Sequence, residues 1–521
     1  MKRARSIPFL ALACVLLLPL IGARGTTQEP ADSSTELQHL IVLHTNDVHG
    51  QVLPLPATWL KNRDPLPDSG GIERIGAYVR KVRAEAAAKG DTVLFVDGGD
   101  WFQGTPEGRL DEGRAFLDAF RELGHDALAV GNHEFDYGVE TLLAHLEAVE
   151  LPALMANARL PSGGALPGTA AYKIVERGGL RVGIVGLLST STPAMSHPTT
   201  RTLLWTSAEE ALSDAREAMG DEVDFVLPIT HLGVNSDRQL AKAHPDLPLI
   251  VGGHSHTLLH KGVTEGTTLI VQSGSKGRGV GRVDLWIDPL TKKVVRKTAE
   301  VVNLYDTPVP SEAGKALAEK CAALLERSAA HMDVVVGTFG GPLSRGRDPY
   351  RTSPAGNIIT DVMRKRAEAD VAIHNRGGIR VDLDAGEATR RDLFRILPFD
   401  NRLMMMTLTG AQIEALMRRS IEGRGRSGLE FSGMQIHVRK GSKGPIIERI
   451  DIGGEELHAE FSYRVVTNDF LASGGDAYIE LASTNKRQLD PILQRDLMEL
   501  ALKEAGGTLT PSTENRYTIV E

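Results

Sequence analysis

Short apolar runs recur along residues 39–275, and each stops at a turn of small or polar residues. They read HLIVLHTND, DTVLFVDGGD, DALAVGN, LRVGIVGLLS, VDFVLPITHLG, LPLIVGGHSH and TTLIVQSGS. Runs of this length with turn residues at their C-terminal ends predict buried strands. Between several of them the apolar spacing becomes helical, as in RIGAYVRKVRAEAAAKG and VETLLAHLEAVE. The alternation predicts an α/β architecture, in which functional groups collect at the C-terminal ends of the strands. GVGRVDLWIDP and KVVRKTAEVVNLY predict two further strands.

SEAGKALAEKCAALLERSAAHMD then reads as one amphipathic helix, and a new pattern begins after it. The expected organisation is a first domain over 38–305, a linker helix within 306–333 and a smaller α/β domain over 334–521. In the second domain, NIITDVMRKRAEA and AQIEALMRRSIEG predict helices and ADVAIHN a strand. There is no internal repeat.

Composition adds bounds. The apolar fraction is 41% and the charged fraction 24%, ordinary for a globular chain. A net charge of −8 provides no general attraction for a nucleic-acid polymer or an anionic membrane. Residues 1–25 read as a signal peptide: Lys2, Arg3 and Arg5, an apolar run from Ile7 to Ile21, then small residues around Ala23 and Gly25. Cys14 lies inside that run, which does not suit lipid attachment, and MKRAR lacks a clear twin-arginine pattern. The expectation is a periplasmic or secreted protein without a stable membrane anchor. Only Cys321 remains after cleavage, so no internal disulfide is expected.

The ends of five predicted strands carry metal-ligand residue types. They supply Asp47 and His49, then Asp100, then Asn132 and His133, then His231, and finally His254 and His256. One such residue is commonly structural, but a series at successive strand ends, in a chain with 16 histidines, points to divalent metal ions. Asp-x-His can reach one ion if the chain turns after the strand, and His-x-His can place one imidazole near each of two ions. A carboxylate such as Asp100 can bridge ions about 3.5–4 Å apart, a pairing that polarises a phosphoryl oxygen and acidifies water. His44, His125 and His260 lack this context and read as structural.

The order D-x-H, GD, GNH, H, GHxH resembles the calcineurin-like metallophosphoesterases. HTNDVHG, GDWFQGTP and GNHEFDYG resemble the 5'-nucleotidase family, whose bacterial members include periplasmic UDP-sugar hydrolases. The resemblance spans essentially the whole chain after residue 37. It implies a four-layer N-terminal sandwich with flanking helices and a C-terminal substrate-binding domain. It further implies that Asp47, His49, Asp100 and His256 hold one ion, and Asp100, Asn132, His231 and His254 the other. The metal identity stays open among Zn, Mn, Co and Fe. By the same resemblance His133 faces the scissile phosphate and Asp136 orients it.

In the second domain, SRGRDPYRTSPAGN, HNRGGIR, LPFDNR and NDFLASGGDAY carry Arg347, Arg351, Asn375, Arg380, Phe399, Asn401, Phe470 and Asp476. Arginines match phosphate, two phenylalanines can sandwich a base, and an Asp suits the hydroxyls of a ribose. In the family, residues at these motif positions bind the nucleoside. Arg376 and Arg402 have no assigned role in this reading. The expected activity is hydrolysis of nucleoside 5'-phosphates, extending to UDP-sugars and nucleoside di- and triphosphates. The alternative on the same scaffold is a 2',3'-cyclic-nucleotide phosphodiesterase and 3'-nucleotidase. The helix near 311–331 and its flanks are the expected hinge region for domain closure.

Overall fold

The computed structural model describes residues 37–57, 60, 66–305, 314–346, 348, 350–422, 428–441 and 444–520. The expected signal peptide, Arg347 and the start of the linker fall outside these residues. Among the described residues, no helix is long and apolar enough to cross a membrane.

All seven apolar runs form strands, and they divide between two sheets. Gln38–Thr45 lies beside Thr92–Asp97, followed by Ala127–Ala129, Ala153–Leu154 and Thr169–Ala170, all parallel. Gly279–Ile287 and Val294–Asn303 close its other edge antiparallel. In the second sheet Leu180–Leu188, Phe225–His231, Leu249–Val251 and Thr268–Val271 run parallel between antiparallel edges. The inner faces meet in one apolar layer that includes Leu40, Val42, Leu94, Val96, Ile184, Leu227, Ile229 and Val251. These strands are buried on both faces, which explains their continuous apolar runs.

Helices cover the two outer faces, giving four layers. Ile72–Lys89 shows why: Ile72, Ile75, Val79, Val82 and Ala86 form one buried stripe, and the other face is polar. Each such aliphatic side chain contributes roughly 1.5–3 kcal/mol on full burial. The helix stops at Gly90, whose φ of 76° lets its N–H reach the carbonyls of Ala86 and Ala87.

The linker helix, Lys315–Met332, buries Leu317, Cys321 and Leu324 in the core of the first lobe. Its Ser328 Oγ donates to Glu107 Oε1 at 2.5 Å, and Arg391 of the second lobe pairs with the same carboxylate. The helix is therefore part of the first lobe's outer layer. Packing places the chain's passage between lobes after it, around Asp333, where Arg391 Nε lies 2.6 Å from the carboxylate.

The second lobe centres on a five-stranded sheet in the order Leu429–Ser432, Val371–Asn375, Ser462–Asn468, Arg402–Thr409, Lys486–Leu493. Pro354–Ala367 and Gln494–Glu504 pack in one of its cores and Gly410–Glu422 in another. Val371–Asn375 and Ser462–Asn468 are parallel neighbours, so Asn375 and Asn468 emerge side by side at their C-terminal ends.

Candidate active site

The parallel strands of both sheets in the first lobe deliver their C-terminal ends to one place. Asp47, His49, Asp100, His254 and His256 all have left-handed backbone, with φ of 50°, 52°, 62°, 74° and 51°. For residues with a Cβ this conformation costs about 1–3 kcal/mol each, and it persists only where the surroundings enforce it. The enforcing bonds are local. The N–H groups of Asp47 and His49 donate to the carbonyls of Gly99 and Asp100 at 2.8 and 3.0 Å. The His254 N–H donates to Asp47 Oδ1 at 3.1 Å, and Asn46 Nδ2 donates to Asp47 Oδ2 at 2.7 Å.

The side chains converge. Ligand atoms of Asp47, His49, Asp100 and His256 all lie within 4.8 Å of one another. His231 Nε2 is 3.0 Å from Asp100 Oδ2, and His254 Nδ1 is 2.9 Å from Asn132 Oδ1. The hydrogen-bond pattern states what these nitrogens offer. His49 Nδ1 faces the carbonyl of Gln103 and His231 Nδ1 that of Gly98, both at 2.7 Å, so each Nδ1 carries its proton. In their neutral form, the one a metal ion selects, both rings aim Nε2 lone pairs inward. His49 Nε2 meets His256 Nε2 at 3.0 Å, and the buried His231 Nε2 faces the Asp100 carboxylate. Acceptors crowded against acceptors fit a divalent cation.

The charges agree with that donor set. Burial works against the Asp100 carboxylate, but His231 and His133 outweigh it and hold its pKa well below the usual range. Burial opposes the charge on His231 too, yet Asp100 lifts that ring to about 10. A metal ion between the same atoms would displace this proton.

Glu134 is the residue that sequence reasoning passed over. Buried, it accepts the N–H groups of Asp100, Gly131 and Trp101 at 2.9, 2.7 and 2.7 Å. It thereby ties two strand ends together and fixes the backbone of Asp100. Its signal was its position inside GNHE, an acid beside a run of turn residues.

His133 and Asp136 stand at the edge of this cluster. His133 Nδ1 is 2.8 Å from Asp136 Oδ2, and the His133 N–H donates to Asp100 Oδ1 at 3.0 Å. Burial disfavours the charged ring, but Asp136 and Asp100 prevail and raise its pKa to about 9. With Nδ1 held by Asp136, His133 has its Nε2–H left to donate.

A cleft of about 840 Å³ opens from this cluster toward the second lobe. Asn375, Arg380, Phe399, Asn401, Phe470 and Asp476 line it together with Asp100, Asn132, His133 and His254. Asn468 Nδ2 donates to Asn375 Oδ1 at 3.0 Å, and Asn375 Nδ2 donates to Asp476 Oδ2 at 2.9 Å. Asp476 sits at a φ of 49°, and burial raises its pKa. The Phe470 ring lies over Gly475, where a Cβ would approach it to 2.5 Å. Phe399 lies with one face on His133, ring centroids 5.7 Å apart and planes within 18°, and Arg380 over the ring at 5.8 Å. Asp400, beside Phe399, pairs with both Arg109 of the first lobe and Arg495.

Arg351 is apart from these: its side chain is exposed and does not line the cleft. Arg376 pairs with Glu430 at 3.1 Å and donates to the carbonyls of Asp348 and Arg351, so it anchors the backbone at those two residues. Arg402 lines the cleft. His44 is buried and His125 half-buried, with desolvation pushing both pKa values to about 3, and His125 stacks on Phe95 at 4.0 Å.

Residues 40–258 match the sequence family described as calcineurin-like phosphoesterase, and residues 330–483 match the 5'-nucleotidase C-terminal domain. The chain thus pairs a calcineurin-like phosphoesterase domain with a 5'-nucleotidase C-terminal domain. It is 27% identical to the 5'-nucleotidase of Vibrio vulnificus over 92% of each chain. It is likewise 27% identical to Protein UshA of Escherichia coli, across 85% of this chain and 86% of that one. The crystal structure of a 5'-nucleotidase precursor from Thermus thermophilus superposes with a TM-score of 0.81 at 28% identity, covering 93% and 99% of the two chains. Both matched domains contribute to the one cleft.

Proposed function

We propose that this protein is an exported metal-dependent 5'-nucleotidase that hydrolyses nucleoside 5'-phosphates to nucleoside and phosphate. One observation carries the reading: a single cleft joins the carboxylate–imidazole cluster to Phe470 and Asp476. Asp47, His49, Asp100 and His256 would hold one divalent ion, and Asp100, Asn132, His231 and His254 a second. Ions there supply Lewis-acid polarisation of the phosphoryl group and a water acidified enough to attack near neutral pH.

The chain's own residues do the rest. Arg380 and the ring of His133 face the phosphate, and His133 donates from Nε2 to the oxygen on which charge builds. Asp136 holds that ring in place. Phe399 and Phe470 offer faces to the base, and Asp476, set by Asn375, accepts from the ribose hydroxyls. Asn401 lines the same wall. Arg351 belongs to the loop before Pro354–Ala367, and a phosphate contact from it needs that loop to move inward; Arg347, four residues earlier in the sequence, is proposed to serve the same phosphate. Export rests on the basic and apolar pattern of residues 1–25, and N-terminal sequencing of the secreted protein tests it.

Phosphate release from AMP, UMP, ATP, a UDP-sugar, 2',3'-cyclic AMP, 3'-AMP and glucose 6-phosphate, with protein stripped and reloaded with defined metals, tests the activity. Preference for the 5'-nucleotides is expected. Preference for the cyclic or 3'-nucleotides would move the assignment to that activity on the same centre.

A further inference from the structure

Leu180–Leu188 ends on the functional side of its sheet, yet its end carries no ligand-type residue. The chain instead leaves it as a strap, residues 189–203, that contains a short helical turn at Thr192–Met195 and another at Pro198–Thr202. The strap is firmly seated. Buried Asn157 brackets its start through the N–H and carbonyl of Leu188, at 2.9 and 2.7 Å. Trp205 Nε1 donates to the carbonyl of Thr200 at 3.0 Å, and Thr200 itself is fully buried.

The strap touches both halves of the cleft. Ser196 Oγ donates to the carbonyl of Asn132 at 2.8 Å. Arg201 Nη2 donates to the carbonyl of Ser473 at 3.0 Å, in the loop between Phe470 and Asp476. Arg201 Nε returns to the carbonyl of Pro193 at 3.1 Å, bracing the strap against itself. Between these ties, Met195 and His197 line the cleft. Thr199 Oγ1 accepts the N–H of Val139 at 3.1 Å, which turns its proton toward His197 Nδ1 at 3.0 Å. His197 Nδ1 is then an acceptor, and the ring's proton sits on Nε2 as a donor.

From this geometry we infer that the strap is the third wall of the nucleoside pocket and that Met195 and His197 read the base; the inference rests on the nucleotidase reading above. The second lobe supplies ring faces and a ribose acceptor. A base still presents an edge of carbonyl and ring-nitrogen acceptors. The strap answers with one N–H donor and one thioether, a deformable apolar group that accepts bases of different outline. A small phosphate ester has no group long enough to reach it.

The test compares wild type with His197→Ala, Met195→Ala and Met195→Leu. It measures kcat/KM for AMP, UMP and p-nitrophenyl phosphate, and Kd for adenosine and uridine by titration calorimetry. Each alanine variant should lower the nucleotide-to-nitrophenyl ratio about tenfold and raise the nucleoside Kd similarly, as loss of one base contact implies. Met195→Leu, which keeps the volume, should retain most of the ratio. An unchanged ratio and Kd overturn the inference. An equal loss on all three esters also overturns it, because the strap would then only support the Asn132 loop. If wild type itself neither prefers nucleotides nor binds nucleosides, the nucleotidase reading fails first, and the strap inference with it.

Discussion

The two walls of the cleft are built differently. In the first lobe Asp47, His49, Asp100, Asn132 and His231 are buried, five of the ligand-type residues sit in left-handed backbone, and hydrogen bonds from the main-chain N–H groups of Asp47, His49, Asp100 and His254 lock those four. In the second lobe Arg380, Phe399, Asn401, Phe470 and Asp476 are half-buried, and their loops rest partly on the other lobe through Asp400 and Ser473. Chemistry at a phosphorus atom tolerates little displacement, so the first wall is overdetermined. Recognition of a flat base by stacking tolerates much more.

The sharpest way to break this comparison is at Asp100. Asp100→Asn should lower phosphate release about 10³-fold or more, since several kcal/mol of charge stabilisation depend on the ions it would hold. Metal content by mass spectrometry should fall in parallel, and a variant that kept both metals and rate would remove Asp100 from the centre. Next, His133→Ala should cost about 10²-fold in kcat with little change in KM, as for the loss of one preorganised donor. Asp136→Asn should cost less, because the ring remains present but loses its orienting charge.

The two phenylalanines should then separate. Phe470→Ala should raise KM for AMP about tenfold, the worth of one stacked base. Phe399→Ala should lower kcat as well, because that ring also packs on His133. Identical kinetic signatures would mean that the His133–Phe399 contact has no bearing on catalysis. The smallest effect concerns stability. Burial raises the pKa of Asp237 to about 7, above its ordinary value, so the folded protein binds the extra proton between about pH 4 and 7. This group's contribution therefore falls as pH rises through that window. Asp237→Asn should flatten the matching part of the Tm-against-pH curve, which calorimetry would read.

Much of the first wall was legible because its signals are local. A strand that ends in Asp-x-His or Gly-Asn-His declares both its element and its chemistry within ten residues. Glu134 was not legible, since its three partners are backbone N–H groups, two of them more than thirty residues away. The linker helix was visible as a helix from its stripe of Leu317, Cys321 and Leu324, but the stripe does not say which lobe it covers. The helix packs into the first core, which leaves its flank at Asp333 as the part of the expected hinge region between the lobes.

The amino-acid sequence by itself determined the α/β layering, the strand ends that gather ligand-type residues, and the second-lobe motifs that carry Asn375, Arg380, Phe399, Asn401, Phe470 and Asp476 to the cleft. These follow from apolar periodicity and turn chemistry, which act over a few residues. Tertiary structure alone decided that Phe399 meets His133, that Arg109 and Arg495 share Asp400, and that Arg201 reaches Ser473. The pairs His133–Phe399, Arg109–Asp400 and Arg201–Ser473 each join residues more than 250 positions apart. No periodic pattern encodes such pairs; they exist only because two packed cores bring the surfaces together.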